Sequence, residues 1–174
     1  MKRNCQSSII GALSVVPTSN MVTIRKSLVT GNYTYHEFEI KKKNGKIRKI
    51  VNPSCALKKY QRSRIQFLFP AFRKIAGPLQ VCFHGFIPHR NSVTAATMHE
   101  GFYSTTAFDF ANFFDTVKLN HIEEAGLRLD DNDVKYLFHK DGYTAQGFPS
   151  SPMLANIAVI PFMQDLMDWM RIEF

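Results

Sequence analysis

The chain has 174 residues, 45% of them apolar and 13% aromatic, with a formal net charge of +8 at pH 7. That length supports one domain with a real core, or a piece of a larger protein. Low-complexity tracts and internal repeats are absent, and no segment approaches the roughly 20 apolar residues of a membrane span, which excludes a spanning helix.

The opening, "MKRNCQSSIIGALSVVPTSN", imitates a signal peptide. Its apolar run, Ile9 to Val16, has only eight residues, includes Gly11 and Ser14, and is followed by no small-x-small cleavage site. Three cysteines (Cys5, Cys55, Cys82), an odd number without paired spacing, point away from a disulfide framework. A cytoplasmic protein is expected.

The charge is unevenly spread. Residues 1–100 hold 17 Lys and Arg against Glu37, Glu39 and Glu100, whereas residues 101–174 hold 5 against 11 acids. Within 41–74, "KKKNGKIRKIVNPSCALKKYQRSRIQFLFPAFRK", 12 basic residues occur without an acid. Clustered charge of one sign is the footprint of a polyanionic partner, although a solvated basic face has the same composition.

Residues 34–51 read as a hairpin: Tyr35, Phe38 and Ile40 lead into Asn44-Gly45, and Ile47, Ile50 and Val51 follow. Asn-Gly suits the positive φ angles of a tight turn. Pro53-Ser54 stops the strand and opens a helix. Leu57, Tyr60, Ile65, Leu68 and Phe72 share one helical face, and Gly77-Pro78 ends it. "HGFIPHRNS" (84–92) is a loop, 93–100 a helix, and 103–110 a strand. Helical turns fit 118–127 and 131–140, the latter capped by Asp130 or Asp131. A loop centred on Gly142 and Gly147 reaches Ser150-Ser151-Pro152, an N-cap followed by Pro at the start of a helix. That helix is expected to run to about Met170 with a kink at Pro161. Helices with few, dispersed strands give an α+β fold.

The stretch "TTAFDFANFFDTV" (105–117) sets Asp109 in an apolar run. A buried carboxylate is costly unless neutralised, so Asp109 either caps the following turn or is aimed at a cation. Cys82, His84, His89 and His99 have the spacing C-x-H-x4-H-x9-H, which matches no structural zinc pattern.

Four stretches in order, "FEIKKKNGKIRKIVNP" (38–53), "HGFIPHRNSVTAATMH" (84–99), "FDFANFFDTV" (108–117) and "AQGFPSSPMLANI" (145–157), carry a family likeness. Over roughly 38–170 the chain resembles bacterial reverse transcriptases of the retron, group II intron and defence-associated kinds. The resemblance implies a right-hand polymerase: an N-terminal extension at 1–33, fingers at 34–100, and a partial palm at 101–174 without a thumb.

It also implies residue roles. Asp109 would be the catalytic acid, ligating two Mg2+ ions that join a primer 3′-hydroxyl to the incoming dNTP, with the Phe110 carbonyl on the same metal. Phe114 would be the steric gate that excludes a 2′-hydroxyl, or ordinary core, or both. Lys42 and Arg48 would hold the triphosphate, with Lys41 or Lys43 as alternatives to Lys42. Gln146 and Gly147 would lie beneath the new base pair. Arg90, Ser151 and Pro152 would face template and primer. Asp115 is read as a helix cap.

The family's palm carries two further acids in a Tyr-x-Asp-Asp hairpin after the Gln146 helix. The sole Asp-Asp pair here, Asp130-Asp131, precedes Gln146, and Asp165 and Asp168 lie on the expected terminal helix. The sequence stops at "DWMRIEF", where that hairpin would begin. The expected function is therefore an RNA-directed DNA polymerase subunit or fragment, using an RNA template to make DNA. A second polypeptide would supply the missing acids and thumb, burying Met163, Leu166, Met167, Trp169 and Met170. Its setting would be anti-phage defence or retroelement mobility. The alternative is a catalytically inactive nucleic-acid-binding module.

Overall fold

The structure, a computed structural model, describes residues 21–28 and 33–173. It is a mixed α+β arrangement. Strands β1 (Met21–Leu28), β2 (Thr34–Lys41) and β3 (Ile47–Pro53) form an antiparallel sheet in that order. The sheet thus takes in 21–28, part of the expected N-terminal extension; the signal-like run lies outside the described residues.

β2 and β3 pair from Tyr35↔Pro53 to Lys41↔Ile47. The turn differs from the two-residue form expected of Asn-Gly. Only Gly45 has positive φ (79°). The Lys42 N–H donates to Lys46 O at 2.8 Å and the Gly45 N–H to Lys42 O at 2.9 Å, closing a three-residue loop. Such loops place a left-handed glycine after a type I turn, and here Asn44 stays at negative φ while its side-chain Oδ1 accepts from the Lys46 N–H at 3.2 Å.

Ser54 caps helix α1 (Cys55–Ala76) by accepting from the Leu57 N–H at 3.3 Å. Leu57, Leu68 and Phe72 are buried as their spacing demands, whereas Tyr60 and Ile65 sit half-buried at the edge of that face. Gly77 (φ 50°) ends the helix and a 3-10 turn, Gly77–Cys82, follows. Five short helices come next: α2 (Ser92–Thr97), α3 (Phe113–Thr116), α4 (Leu119–Glu124), α5 (Asp131–Leu137) and α6 (Ser151–Ala158); α7 (Ile160–Glu173) is longer. Asp130, not Asp131, caps α5, accepting from the Asp133 N–H at 2.8 Å.

Two expectations are corrected and one is met. Residues 103–110 form no strand, because no described segment runs beside them to supply ladder partners. Pro161 interrupts the helix as expected, since it can give no N–H to Ile157: α6 ends at Ala158 and α7 begins at Ile160, across Val159 alone, which keeps near-helical φ and ψ and accepts from the Met163 N–H at 3.0 Å. Ser150 does not cap α6 with its side chain: it is fully buried in helical geometry, and its Oγ has no hydrogen-bond partner.

The larger core crosses the expected fingers–palm boundary at residue 100. Leu68, Phe72 and Ala76 of α1 pack with Ile122 of α4, Leu137 of α5, and Met153, Leu154 and Ile157 of α6. Each of the Leu, Ile, Met and Phe side chains contributes about 1.5–3 kcal/mol by leaving water. Asp133, fully buried, ties α5 to α1: it accepts from the Tyr60 hydroxyl at 2.7 Å and pairs with the Arg64 guanidinium. A smaller core, Tyr35, Val51, Leu57, Ala145 and Phe148, joins the sheet to the loop before α6.

Gly147 makes that second junction possible. With φ of 115°, it lies so close to β3 that a Cβ would stand 2.1 Å from the Val51 carbonyl oxygen. The Val51 N–H donates to the Gln146 carbonyl at 2.8 Å, covering part of the sheet's open edge. Gly147→Ala should therefore cost at least about 3 kcal/mol. Gly142→Ala, at φ 81° with nothing within 4 Å of the added carbon, should cost only about 1–2 kcal/mol. Denaturant titration of the two variants separates backbone strain from the collision.

Candidate functional site

A cleft of about 640 Å³ opens between the β2–β3 hairpin and the 109–115 turn. Lys42, Arg48 and Lys49 line it from the hairpin, Asp109, Phe110, Phe113, Phe114 and Asp115 from the turn, and Gln146 from the loop before α6. Register explains the hairpin side. Arg48 pairs with Ile40, which shares a strand face with Lys42, so the two cations are diagonal neighbours. Among Lys41, Lys42 and Lys43, Lys42 is the one that faces the cleft.

Opposite, Asn112 adopts left-handed φ (51°), a conformation asparagine tolerates, and starts α3. The Asp115 N–H then donates to Asn112 O at 2.9 Å. Asp115 consequently sits inside α3 and is not its cap; its carboxylate is exposed toward the cleft. Half-buried Phe114 is fixed through its backbone, for the buried Thr144 hydroxyl donates to the Phe114 carbonyl at 2.7 Å.

Asp109 is exposed, so the desolvation cost that its apolar neighbours suggest does not arise. Rings flank it. Phe108 and Phe110 both meet Phe162 of α7 edge-on, at centroid distances of 5.9 and 5.3 Å, and Phe110 stacks on Phe113 at 5.2 Å.

Behind the cleft, His139 is buried and locks hairpin to loop. Its Nδ1 accepts from the Asp141 N–H at 3.2 Å, which leaves Nε2–H to donate to Glu37 of β2 at 3.0 Å. Its ring stacks on Tyr143 at 4.5 Å. Burial, then the charges of Asp115, Asp141 and Glu37, push the Tyr143 phenol up to about 12.

Other expected site residues serve the framework. Arg90 lies outside the cleft lining, and its Nη1 donates to the carbonyls of Phe83 (2.7 Å), Val81 (3.3 Å) and Gln80, clasping the 3-10 turn. The Ser151 Oγ is buried and donates to the Ala145 carbonyl at 2.8 Å. Pro152 occupies the first turn of α6. Gly147 makes its close approach to Val51 of β3. His84 is engaged through Nδ1 with the Thr94 hydroxyl at 2.8 Å.

Residue-type reasoning passed over Glu39 and Lys49 and read Asp115 as a helix cap, yet all three line the cleft. Glu39 and Lys49 form a cross-strand pair, one register step from Ile40–Arg48 and so on the other face of the ribbon. Three cationic and three acidic residues thus line the cleft, Lys42, Arg48 and Lys49 with Glu39, Asp109 and Asp115. Among the described residues no helix is long and apolar enough to cross a membrane. No family model, curated protein or solved structure matches the chain.

Two measurements follow. Arg90→Ala should lower the melting temperature by several degrees, as three carbonyls lose their donor, while the salt dependence of nucleic-acid binding stays unchanged. A phenol whose folded pKa is raised stabilises the fold fully below its unfolded value near 10 and loses that contribution as pH rises from there toward about 12. Stability of Tyr143→Phe, followed by thermal melts, should therefore fall less steeply than that of the parent across this window.

Proposed function

We propose that this chain is the fingers and first palm portion of an RNA-directed DNA polymerase, a magnesium-dependent nucleotidyltransferase completed by a second polypeptide. One observation carries the reading. A single cleft has Lys42 and Arg48 on one wall and the Asp109 and Asp115 carboxylates on the other, with Phe114 and Gln146 between them. A nucleoside triphosphate with its divalent cation has this polarity: phosphates to bind cations, a metal to bind carboxylates.

The donor set suits Mg2+, which takes hard oxygens, uses one or two carboxylates and keeps substrate phosphates in its shell. Asp109 and Asp115, with the Phe110 carbonyl, would be the protein's share. Bound there, the metal supplies charge stabilisation at the attacking and leaving oxygens of an in-line displacement. Lys42 and Arg48 neutralise the β- and γ-phosphates, the main electrostatic task of phosphoryl transfer. The guanidinium adds a planar fork that fixes orientation. Phe114, held by Thr144, presents a rigid ring against the sugar and excludes a 2′-hydroxyl. Gln146 offers an uncharged amide to base or sugar, and its own carbonyl is anchored on Val51.

Two metal ions need more carboxylates than Asp109 and Asp115 provide, so on this reading the remaining ligands and the thumb come from polypeptide outside these 174 residues. A neighbouring reading frame with Tyr-x-Asp-Asp is the natural candidate. Co-expression with it, then primer extension on an RNA template, tests the proposal. Asp109→Ala should abolish extension while nucleic-acid binding persists. Phe114→Val should raise ribonucleotide incorporation at least tenfold. Lys42→Ala and Arg48→Ala should each lower kcat/KM for dNTP by roughly tenfold to a hundredfold. Wild-type extension by Asp109→Ala would overturn the assignment, and binding without extension by the assembled pair would leave a non-catalytic nucleic-acid module.

A further inference from the structure

The basic run continues past the cleft. On α1 the residues Lys59, Arg62, Gln66 and Arg73 stand at offsets 0, 3, 7 and 14, one face of a helix, with Lys74 beside them. All five are exposed, and this face lies opposite the one carrying buried Leu57, Leu68 and Phe72. None of the four cations lines the cleft.

Their counter-charges are missing. Arg64, on the inner side of the same helix, pairs with Asp133, and the Lys58 ammonium donates to Asn52 at 2.7 Å. Among the described residues, the side chains of Lys59, Arg62, Arg73 and Lys74 form neither an ion pair nor a hydrogen bond. An exposed helix is ordinarily laced with carboxylates three or four residues from its cations. This one has no acid from end to end.

We infer that the outer face of α1 is a second nucleic-acid contact, a track for the phosphate backbone of a duplex that extends beyond the cleft. From Lys59 to Arg73 the helix rises about 21 Å, alongside roughly a dozen phosphates of a duplex carrying one charge per about 1.7 Å of axis. Three features favour this occupant. A membrane-surface helix inserts an apolar face, and the apolar face of α1 is already spent on the protein core. A single-strand site stacks bases on aromatic rings, yet Ser63, Gln66 and Pro70 separate the cations. The exposed ring of this helix, Phe67, borders the stripe seven residues before Lys74, and its face is covered by the Arg64 guanidinium, 4.8 Å from the ring centroid. What remains is a stripe dominated by charge, the chemistry of sequence-independent backbone contact.

The test is fluorescence anisotropy of the full chain with labelled RNA, DNA and hybrid duplexes of about two helical turns, titrated with salt. Each phosphate contact contributes close to one to the slope of log Kobs against log salt. The quadruple variant Lys59→Gln, Arg62→Gln, Arg73→Gln, Lys74→Gln should shallow that slope by about three to four and weaken binding at least tenfold at physiological salt. Lys59→Arg, Arg62→Lys, Arg73→Lys, Lys74→Arg, which keeps the charges, should restore both. An unchanged slope in the neutralised variant would overturn the inference, as would stronger competition by anionic vesicles or an acidic peptide than by unlabelled duplex. Because Asp109→Ala should leave this slope untouched, failure of the track and failure of the polymerase reading are told apart.

Discussion

Where the Val51 N–H meets the Gln146 carbonyl at 2.8 Å, two segments far apart in the chain are pinned together, and both walls of the cleft depend on that junction. β3 carries Arg48 and Lys49 a few residues before Val51, and Gln146 itself lines the cleft. The approach is close enough to exclude any side chain at position 147. Glu37–His139 and the packing of Tyr35 against Phe148 reinforce the same docking from the other side of the ribbon. A hairpin alone is marginal in water; this one is ordered because its base is built into a core.

The charge asymmetry along the sequence becomes an arrangement in space. Among the described residues, basic side chains of the first hundred meet acids of the second part at only two places, Arg64 with Asp133 and Asp130 and the two sides of the cleft, while the reverse contact joins His139 to Glu37. Elsewhere the two charge populations stay apart. Had the acids been spent on neutralising α1, stability would have gained little, since exposed pairs contribute about 0–1 kcal/mol. Leaving the cations free costs the fold equally little, so the stripe persists at small thermodynamic expense.

Local signals in the sequence were legible because their chemistry closes within three or four residues. Ser54 caps α1, Gly77 ends it, Asp130 opens α5, and Asn44-Gly45 marks a hairpin tip. The tip's loop length was not legible, because Asn-Gly is compatible with both two- and three-residue turns, and only the pairing of Lys42 with Lys46 decides between them. Long-range requirements stayed hidden. A strand at 103–110 needs a neighbour that hydropathy cannot provide. Ser150 looks like a cap, yet it is fully buried and its neighbour Ser151 reaches back to Ala145. Gly147 advertises a close approach without saying to what. Periodicity alone could not have placed Lys42 and Arg48 opposite Asp109; the family likeness suggested it, and the hairpin register gives a physical route to it.

Asp109 owes its placement to neighbouring rings rather than to a ladder of hydrogen bonds. Phe108 and Phe110 grip Phe162 on either side of the carboxylate's residue, and each such aromatic pair contributes about 0.5–1.5 kcal/mol beyond its buried area. That is a modest hold. All three rings remain substantially exposed, at 62%, 40% and 41% for Phe108, Phe110 and Phe162. Covering them would deepen the contacts and narrow the range of positions open to Asp109. On the proposed reading, a partner that seats on this aromatic cluster would do two things at once: contribute its own carboxylates and stiffen the one already present. Order at the catalytic acid would then be a consequence of assembly, with little metal affinity before it.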